Sequence, residues 1–376
     1  MKNSTVWLGT FSDINTDPRP FKARSSLLKS GFRTMELMDN PEHEVRLSRA
    51  SSWLLMLFWG SIFHSGLTRD RAIRNFLNAR MRKVVVLKKT VSVDELILLF
   101  DIDLLPFVTE QFPFNPIVMD FREIYTEQFG KDLKFRLFLR PIRKYILEHD
   151  AQKIKAGYTV SRGLIYYYQN NFNLKLSLIR SVPQFKGSQS ASASSGNIKI
   201  VYLGVAHPLR SIEKSIKAVT ETGREVEFHL YLVGDKSYIK SIEKTYGGSH
   251  QIFFHSPVEF HKINETLSKY DLGWCYFTPQ TENIKNALPN KFFDYIQAGL
   301  GVICGPNLDM LEEAKSWNFG FFTQDYSDRA LSQLLSSLTR SSVVNAKIGA
   351  KLAKSELTWD NEERKFLHLV ESVIQE

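Results

Sequence analysis

Two basic residues in the second half of the chain are placed where they could bind phosphate. Lys291 follows Pro289 and Asn290 in the first turn of a predicted helix, where backbone amides have no partner within the helix and favour an anion. Arg210 opens another predicted helix after Gly204, and the fork of its guanidinium matches phosphate oxygens. Either cation could instead be an ordinary solvated surface charge. The sequence context therefore makes each of these two cations a candidate phosphate contact.

Two aspartates in the first half could hold a metal ion. Asp101 and Asp103 are separated by one residue directly after a predicted strand, and paired carboxylates in such a place can bind a divalent cation. The same residues begin a predicted helix, in which Asp103 would be a good amino-terminal cap. We favour the capping interpretation.

The elements that must position these residues alternate along the chain. Short β-branched or aromatic runs alternate with longer helical patterns, which is typical of a parallel, doubly wound sheet. In the first half the predicted strands are 5–11, 83–88, 95–100, 116–121 and 177–182, and the predicted helices include 19–30 and 133–155. In the second half the predicted strands are 197–205, 227–235, 251–256, 272–277 and 301–306, and the predicted helices are 210–222, 236–246, 259–270 and 289–298. Residues 186–197, almost wholly Ser, Gly, Ala and polar, predict a linker between two such domains.

Length and composition fit this organisation. The chain has 376 residues, of which 43% are hydrophobic and 24% charged, as in soluble proteins of two or three domains. The longest apolar run, 53–63, falls short of the about 20 residues that span a membrane, and no secretory signal is visible. We therefore expect a cytoplasmic protein. Cys275 and Cys304 lie in apolar runs without metal-ligand spacing, which predicts buried, reduced thiols.

The positive charge belongs to the first half. Residues 1–186 have 29 basic and 18 acidic side chains, a net charge of +11, and the remaining residues have 20 basic and 22 acidic ones. The densest basic stretch, 131–146, interleaves Lys and Arg with Phe, Leu and Ile, as an amphipathic helix on anionic lipid does. In this interpretation Phe135, Phe138 and Leu139 enter the headgroup region. The lipid-facing or acceptor-facing cations would be Lys131, Lys134, Arg136 and Arg140. A solvated helix face is the alternative, and no nucleic-acid-binding motif accompanies the charge, so we expect no nucleic-acid partner.

The segment 282–303, ENIKNALPNKFFDYIQAGLGVI, resembles a known donor-binding segment. In GT-B glycosyltransferases of the family 4 type, a loop, a Pro-Asn-Lys turn, an acidic residue and Ala-Gly precede a strand in this order. The resemblance extends over 17–37, 118–129, 156–185, 201–219 and 358–373, and so over nearly the whole chain.

The resemblance implies an α/β fold of GT-B architecture, with two Rossmann-like doubly wound domains that face a central cleft. Residues 1–185 would bind the acceptor, 186–197 would form the linker, and 198–357 would bind a nucleotide-sugar. The terminal helix, 358–376, would cross back to the first domain.

The resemblance also implies roles for individual residues in the donor site. The pyrophosphate would lie against Arg210, Lys291 and the amides after Pro289, because a leaving diphosphate needs fixed cations. Asp294 stands where the family has a Glu on the ribose hydroxyls; the family's other Glu falls on Asn286, for which Glu282 could substitute. The implied donor-binding set is Gly9, Gly204, Arg210, Glu282, Asn286, Pro289, Asn290, Lys291 and Asp294.

In the first domain, 118–129 resembles a segment that usually reads Tyr-Asp-x-His-Glu, and Arg122 stands at the histidine position. Arginine cannot act as a base, so Arg122 would hold phosphate or acceptor, and Asp120 or Glu123 would handle the proton. The alternative is an ion pair between Arg122 and a carboxylate that only orders the loop. Arg19, near the first loop, could be purely structural.

The function implied by the resemblance is transfer of a sugar from a nucleotide-sugar to a glycan or lipid-linked acceptor, in polysaccharide or glycolipid biosynthesis. It also implies retention of configuration and no metal or other cofactor. A lipid-linked acceptor would place the protein on the inner face of the cell membrane. The alternatives are an epimerase or phosphorylase of related architecture, and a degenerate GT-B subunit that binds sugar or a partner transferase without turnover. The residues at Asn286, Asp294 and Arg122 favour the degenerate subunit.

Overall fold

The computed structural model describes residues 4–38, 62–63, 69–81, 87–88, 90–130, 132–185, 196–222, 225–259 and 262–375. Four sequence predictions fall wholly or mostly outside the described residues, namely strand 83–88, the apolar run 53–63, Lys131 and the linker 186–197. The chain forms two compact units. The first contains Met1–Arg180, Thr281–Asn283 and Glu362–Glu376, and the second contains Ser181–Gln280 and Ile284–Asn361.

The described part of the first unit contains a sheet of six parallel strands in the order β2-β1-β3-β4-β5-β6. The strands are β1 (Thr5–Gly9), β2 (Arg33–Glu36), β3 (Leu96–Leu99), β4 (Ile117–Phe121), β5 (Ala156–Thr159) and β6 (Leu176–Leu178). Its helices are α1 (Pro18–Lys29), α2 (Arg69–Met81), α3 (Leu105–Gln111), α4 (Arg140–His149) and α5 (Arg162–Phe172). Every residue of the central strands β3 and β4 is buried, because helices cover both faces of a parallel sheet.

The described part of the second unit repeats this architecture, with the strand order β12-β11-β10-β7-β8-β9. The strands are β7 (Ile198–Ala206), β8 (Val226–Gly234), β9 (Ile252–His255), β10 (Leu272–Cys275), β11 (Gly301–Cys304) and β12 (Gly320–Phe322). The helices are α6 (Ile212–Thr220), α7 (Lys236–Tyr246), α8 (Ile263–Leu267), α9 (Glu282–Lys285), α10 (Asn290–Gln297), α11 (Leu308–Lys315), α12 (Asp328–Ser337) and α13 (Arg340–Ala353). Of these, α9 begins with residues of the first unit, to which Thr281–Asn283 belong.

The last helix, α14 (Trp359–Gln375), belongs to the first unit from Glu362 onward. Glu362 is buried and accepts hydrogen bonds from the backbone N–H of Arg180 at 2.9 Å and from its guanidinium at 3.0 Å. Phe366 packs against Tyr158 of β5 with ring centroids 5.8 Å apart. These contacts attach α14 to the carboxyl-terminal strands of the first sheet.

The predicted fold class, two doubly wound α/β domains, is confirmed, but some predicted elements are too long. The predicted helix 259–270 is observed only as α8, and the predicted strand 177–182 ends with β6 at Leu178. Cys275 and Cys304 are buried free thiols, as expected, and they are register partners on β10 and β11. In the described parts of the chain, no helix combines the length and apolar character needed to cross a bilayer.

The predicted helix 133–155 is divided into three pieces. A π-helical turn, Phe135–Leu139, precedes α4, and a 3₁₀ turn, Ala151–Lys153, follows it. Pro141 lacks the N–H that a regular α-helix would donate backwards, and the wide turn immediately before it accommodates this gap. Phe135 and Phe138 are buried, and the ring of Phe138 lies 5.2 Å from that of Phe76 on α2. The prediction that these two phenylalanines enter a lipid headgroup region is therefore wrong.

Candidate functional site

Lys291 lies in the first turn of α10, with Pro289 at the helix cap. Its half-buried side chain places Nζ 4.0 Å from the centroid of the Tyr202 ring. A Cβ atom on Gly204 would lie 2.5 Å from this Nζ, so the ammonium occupies space that only a glycine leaves open. Among the described residues, no oxygen atom accepts a hydrogen bond from it. Lys291 is thus a cation held against an aromatic face, with no counter-ion in the part of the chain that the structure describes.

Burial lowers the pKa of Lys291 to about 8, although the Cys275 thiol nearby acts in the opposite direction. The Arg210 guanidinium lowers this pKa further, and Asp294 raises it. A desolvated ammonium beside a second cation is costly for the free protein, and a bound anion would relieve that cost.

Arg210 ends a 3₁₀ turn, Pro208–Arg210, instead of opening a helix as predicted. Ser211 follows in the left-handed conformation, with φ of 54°, and α6 starts only at Ile212. The guanidinium lies over the ring of Phe277 at 5.3 Å, and in the described part of the chain it has no hydrogen-bond acceptor. Gly204 and Phe277 lie at the carboxyl ends of the neighbouring strands β7 and β10, which is where doubly wound sheets bind ligands.

The other predicted donor-binding residues are divided between the two units. Asp294 lies on α10 one turn after Lys291, Asn290 is exposed at the start of that helix, and Asn286 is half-buried between α9 and α10. Glu282 and Gly9 belong to the first unit. The second unit therefore brings together Gly204, Arg210, Pro289, Asn290, Lys291 and Asp294.

Asp120 on β4 forms a two-pronged ion pair with Arg19 of α1, at 2.6 and 2.8 Å. The Asp120 side chain is fully buried, and the Arg19 guanidinium lies 5.5 Å from the centroid of the Tyr158 ring. In this position Asp120 has no surface from which to accept a proton from an acceptor. Its geometry is that of a buried counter-ion, which also gives Arg19 the structural role considered above.

Arg122 is held by two carboxylates and a carbonyl. It donates to Asp17 at 2.7 Å, to the Phe100 carbonyl at 3.1 Å and to Asp101 at 3.4 Å. Asp17 also caps the amino terminus of α1. Burial raises the pKa of Asp17, but the Arg122 guanidinium outweighs it, and the pKa lies below its ordinary value. This geometry matches the alternative of an ion pair that orders the loop.

The two aspartates considered as metal ligands have separate partners. Asp101 accepts from the Thr10 hydroxyl and the Phe11 N–H, both at 2.8 Å, and burial raises its pKa. Asp103 lies inside the 3₁₀ turn Ile102–Leu104 and accepts from Arg143 at 2.9 Å, so the prediction that it caps a helix is wrong. No cluster of three potential metal-binding side chains occurs in the residues that the structure describes.

Glu123, next to Arg122 in the chain, is partly exposed. Asn283 donates from its side-chain amide to Glu123 at 3.3 Å and accepts from the Ile124 N–H at 2.9 Å. Sequence reasoning missed Asn283, as well as the aromatic supports Tyr202 and Phe277. Their contacts depend on tertiary packing. Only Tyr202 left a signal in the sequence, since it precedes Gly204 by two residues on β7 and therefore lies on the same face of that strand.

The basic residues proposed to contact lipid or acceptor differ in their exposure. Lys134 and Arg136 are exposed. Arg140 donates to the Thr126 carbonyl at 2.8 Å and pairs with Glu127, so it stabilises a local loop. Lys131 lies outside the described residues.

Comparison with known proteins identifies the fold. No protein-family model and no curated protein matches the sequence. A glycosyltransferase from Rickettsia africae aligns over 100% of this chain and 99% of its own, with a TM-score of 0.65 and 10% identity. Anabaena HepE in complex with UDP aligns over 98% of this chain and 100% of its own, with a TM-score of 0.64 and 10% identity.

A longer protein shows the same similarity over part of its length. A mutant of Staphylococcus aureus TarM, solved with fondaparinux, alpha-GlcNAc-glycerol and UDP, aligns over 82% of this chain, with a TM-score of 0.58 and 14% identity. This chain spans only 59% of that protein. At such identities the similarity shows the fold, and the chain has the GT-B fold of these glycosyltransferase structures.

Proposed function

We propose that the chain is a glycosyltransferase that takes its sugar from a nucleotide-sugar. The observation that carries this proposal is the Lys291 ammonium, which is desolvated, has no counter-ion among the described residues and lies against Gly204 at the carboxyl end of the second sheet. Structures of the same fold bind UDP, which gives the site a ligand of fitting charge.

The proposed chemistry follows from where charge develops. As the bond between the sugar and the diphosphate breaks, negative charge grows on the leaving diphosphate, and fixed cations stabilise it. Lys291 and Arg210 would supply this stabilisation, while Asp294 accepts from the ribose hydroxyls. We propose retention of configuration, as the family 4 resemblance implies. Because two side chains supply the positive charge, we also propose turnover without a metal or other cofactor, which activity in the presence of EDTA would test.

The acceptor would be a glycan or a lipid-linked glycan, in polysaccharide or glycolipid biosynthesis. Among the predicted catalytic residues, we propose Glu123 as the one that binds the acceptor hydroxyl or takes its proton; the burial of Asp120 and the pairing of Arg122 support this choice. For a lipid-linked acceptor we propose docking on the cytoplasmic face of the membrane. The exposed side chains Lys134 and Arg136, with Phe129 and Leu133, are the candidates for that contact.

A second candidate function is a degenerate subunit that binds a sugar or a partner transferase without turnover. The pairing of Arg122 with Asp17 and Asp101 favours it, because the position of the family's histidine is then structural.

Calorimetry with UDP and other nucleoside diphosphates distinguishes the two candidates. The glycosyltransferase should bind at least one of them and slowly hydrolyse a matching nucleotide-sugar, and Lys291→Ala should strongly weaken both. Lys217→Ala is a matched control, since this lysine of α6 is exposed, with 62% of its side chain accessible. A protein that binds no nucleoside diphosphate would contradict the enzyme and favour the degenerate subunit.

A further inference from the structure

We propose that the first unit contains a proton switch, in which Asp101 is a neutral carboxylic acid at pH values where exposed aspartates are ionised. Loss of this proton would break a ring of hydrogen-bonded side chains that fixes Arg122 and the loop between β1 and α1. The inference concerns the first unit alone and does not depend on the proposed function.

The ring consists of five side chains near the carboxyl ends of β1 and β3, joined in the order Asp101, Thr10, Ser12, Asp17 and Arg122. Asp101 Oδ2 lies 2.8 Å from Thr10 Oγ1, and the two hydroxyl oxygens lie 2.8 Å from each other. Ser12 Oγ is also 2.8 Å from Asp17 Oδ2. Arg122 closes the ring by donating to Asp17 at 2.7 Å and to Asp101 at 3.4 Å.

The first argument is a count of protons. The ring contains three oxygen–oxygen contacts of 2.8 Å, which is the usual length of an O–H···O hydrogen bond. Each contact needs one proton between its oxygens, but Thr10 and Ser12 supply only one proton each. The Phe11 and Ser12 N–H groups also donate into the ring, but their protons do not lie between two of its oxygens. With both carboxyls ionised, one contact would bring two lone pairs together.

A third proton, on one of the two carboxyl groups, removes this repulsion. An ionised Asp101 accepts from the Thr10 hydroxyl. In the acid form the direction is reversed, so that Asp101 donates to Thr10, Thr10 to Ser12, and Ser12 to Asp17. All three contacts then contain a proton.

The second argument is a count of charges, and it assigns the proton to Asp101. Three arginines close to the ring each pair with one carboxylate: Arg19 with Asp120 at 2.6 Å, Arg122 with Asp17 at 2.7 Å, and Arg143 with Asp103 at 2.9 Å. Asp101 lies 3.4 Å from the Arg122 guanidinium, which Asp17 already neutralises. An ionised Asp101 would therefore be a partly buried negative charge without a cation of its own.

The surroundings of the two carboxyl groups agree with this assignment. Burial raises the pKa of Asp101 and the Asp103 carboxylate raises it further, which outweighs the opposite effects of Arg122, Phe11 and Thr10. The pKa of Asp17 instead lies below its ordinary value. The nearby Tyr125 hydroxyl adds no charge, because burial raises its pKa. The Asp101 side chain is 26% accessible, so its proton can exchange with water while the protein stays folded.

Loss of the proton would disturb the ring on both sides of Asp101. The new carboxylate would compete for Arg122 with Asp17, which caps the amino terminus of α1. One oxygen–oxygen contact of the ring would also become repulsive. Because the folded protein binds this proton more tightly than the unfolded chain, its stabilising effect is complete below the ordinary aspartate pKa of about 4. That effect is lost as the pH rises through the higher pKa of the folded state.

Infrared difference spectroscopy tests the protonation, since a carboxylic acid and a carboxylate absorb at different frequencies. At pH 6, where an ordinary aspartate is less than about 1% protonated, the parent should show an acid band that Asp101→Asn removes. Asp94→Asn, at an exposed position, is the matched control and should leave the band unchanged. Ser12→Ala removes the need for a third proton and should lower the pH at which the band disappears. Absence of an Asp101-dependent acid band at pH 6 would overturn the proposal.

Amide NMR of the parent protein tests the ring without a substitution that could impair folding. The Phe11 N–H donates to Asp101 at 2.8 Å and the Ser12 N–H to Thr10 at 3.1 Å, so both amide signals should shift at the pH where the acid band disappears. The Ser237 amide is the control, because it donates to the exposed Asp235, whose pKa is lowered, and should shift only at lower pH.

Phe11 and Ser12 signals that stay constant between about pH 5 and 8 would overturn the proposal. Neither measurement uses a nucleotide, so a protein that binds no UDP would contradict the donor site and leave the proton switch intact.

Discussion

The contacts of Lys291 explain why this residue is important to the proposed chemistry. Tyr202 supplies an aromatic face, which attracts a cation without neutralising it, and Gly204 leaves space for the ammonium next to the strand. A carboxylate in place of the ring would stabilise the free protein but would compete with a phosphate ligand. In the proposed donor site, these contacts would favour the anion-bound state of the protein over the free state.

Replacing Lys291 by Ala should lower kcat/KM, because the transition state loses about 2 to 4 kcal/mol of stabilisation. This is the cost of removing one fixed electrostatic group at a developing charge. Steady-state kinetics with the preferred nucleotide-sugar measures the loss, and Lys217→Ala should match the parent. Activity of Lys291→Ala within about threefold of the parent would contradict the assignment of this lysine to the donor site.

UDP binding should depend on pH through the Lys291 ammonium. The pKa of Lys291 in the free protein is about 8, and a bound diphosphate would raise it. Well below pH 8 the lysine is charged in both the free and the UDP-bound protein, so its ionisation should not change the affinity for UDP there. Affinity should fall as the pH rises above 8, because binding then requires proton uptake. Calorimetry in buffers of different ionisation enthalpy measures that uptake, and Lys291→Arg should abolish the pH dependence of affinity in this range.

Gly204→Ala should weaken UDP binding and also lower the stability of the second unit. The added Cβ would lie 2.5 Å from Lys291 Nζ, so the ammonium would leave its position, and the φ of 158° at this residue is one that L side chains rarely adopt. We expect at least a tenfold, or about 1.4 kcal/mol, loss of UDP affinity. Gly248→Ala is the control, since its Cβ would meet no atom within 4 Å. An unchanged UDP affinity in Gly204→Ala would show that the position of the ammonium is unimportant.

At the level of elements, periodicity and turn chemistry predicted most of the fold. The alternation of apolar runs and helical patterns gave the central strands and helices such as α1 and α7 to within about two residues. It failed where one residue changes the backbone path. Pro141 introduces a π-helical turn before α4, and the left-handed Ser211 separates Arg210 from α6.

The candidate site was only partly predictable for a related reason. Pro289, Asn290 and Lys291 are contiguous, and their position at a helix start can be read from the sequence. Arg19 of α1, the partner of Asp120, and Asp17 at the cap of α1, one partner of Arg122, are about a hundred residues away along the chain, and no spacing rule connects them. Sequence reasoning therefore identified the charged residues but did not show which of them are neutralised.

The buried pair between Arg19 and Asp120 should be important to stability because it joins α1 to β4. Arg19→Ala would leave a carboxylate buried without its partner and should lower the free energy of unfolding by about 3 to 5 kcal/mol. The double variant Arg19→Met with Asp120→Asn removes both charges and should recover part of this loss. Urea denaturation measures both. A loss below about 1 kcal/mol in Arg19→Ala would show that the pair is weak.

Over the whole molecule, the net charge of +11 on residues 1–186 is visible in the sequence, but the surface that would use it is not. The alternation of basic and apolar residues in 131–146 predicted that Phe135 and Phe138 are exposed, whereas the π-helical turn directs both into the core. The exposed apolar side chains nearby are Phe129 and Leu133, which are 54% and 51% accessible.

The first unit should therefore bind anionic vesicles through Lys134, Arg136, Phe129 and Leu133. Each cation near an anionic surface contributes about 1 kcal/mol, so Lys134→Glu with Arg136→Glu should weaken binding to phosphatidylglycerol vesicles at least about tenfold at low salt. Phe129→Ser with Leu133→Ser should weaken it without unfolding the protein, because both side chains are already half in water. Cosedimentation measures the binding, and phosphatidylcholine vesicles should bind neither parent nor variants. Lys236→Glu with Lys240→Glu, the same charge change on exposed positions of α7, is the matched control. If the parent protein ignores anionic vesicles even at low salt, the membrane surface is contradicted and a glycan acceptor free of lipid is favoured.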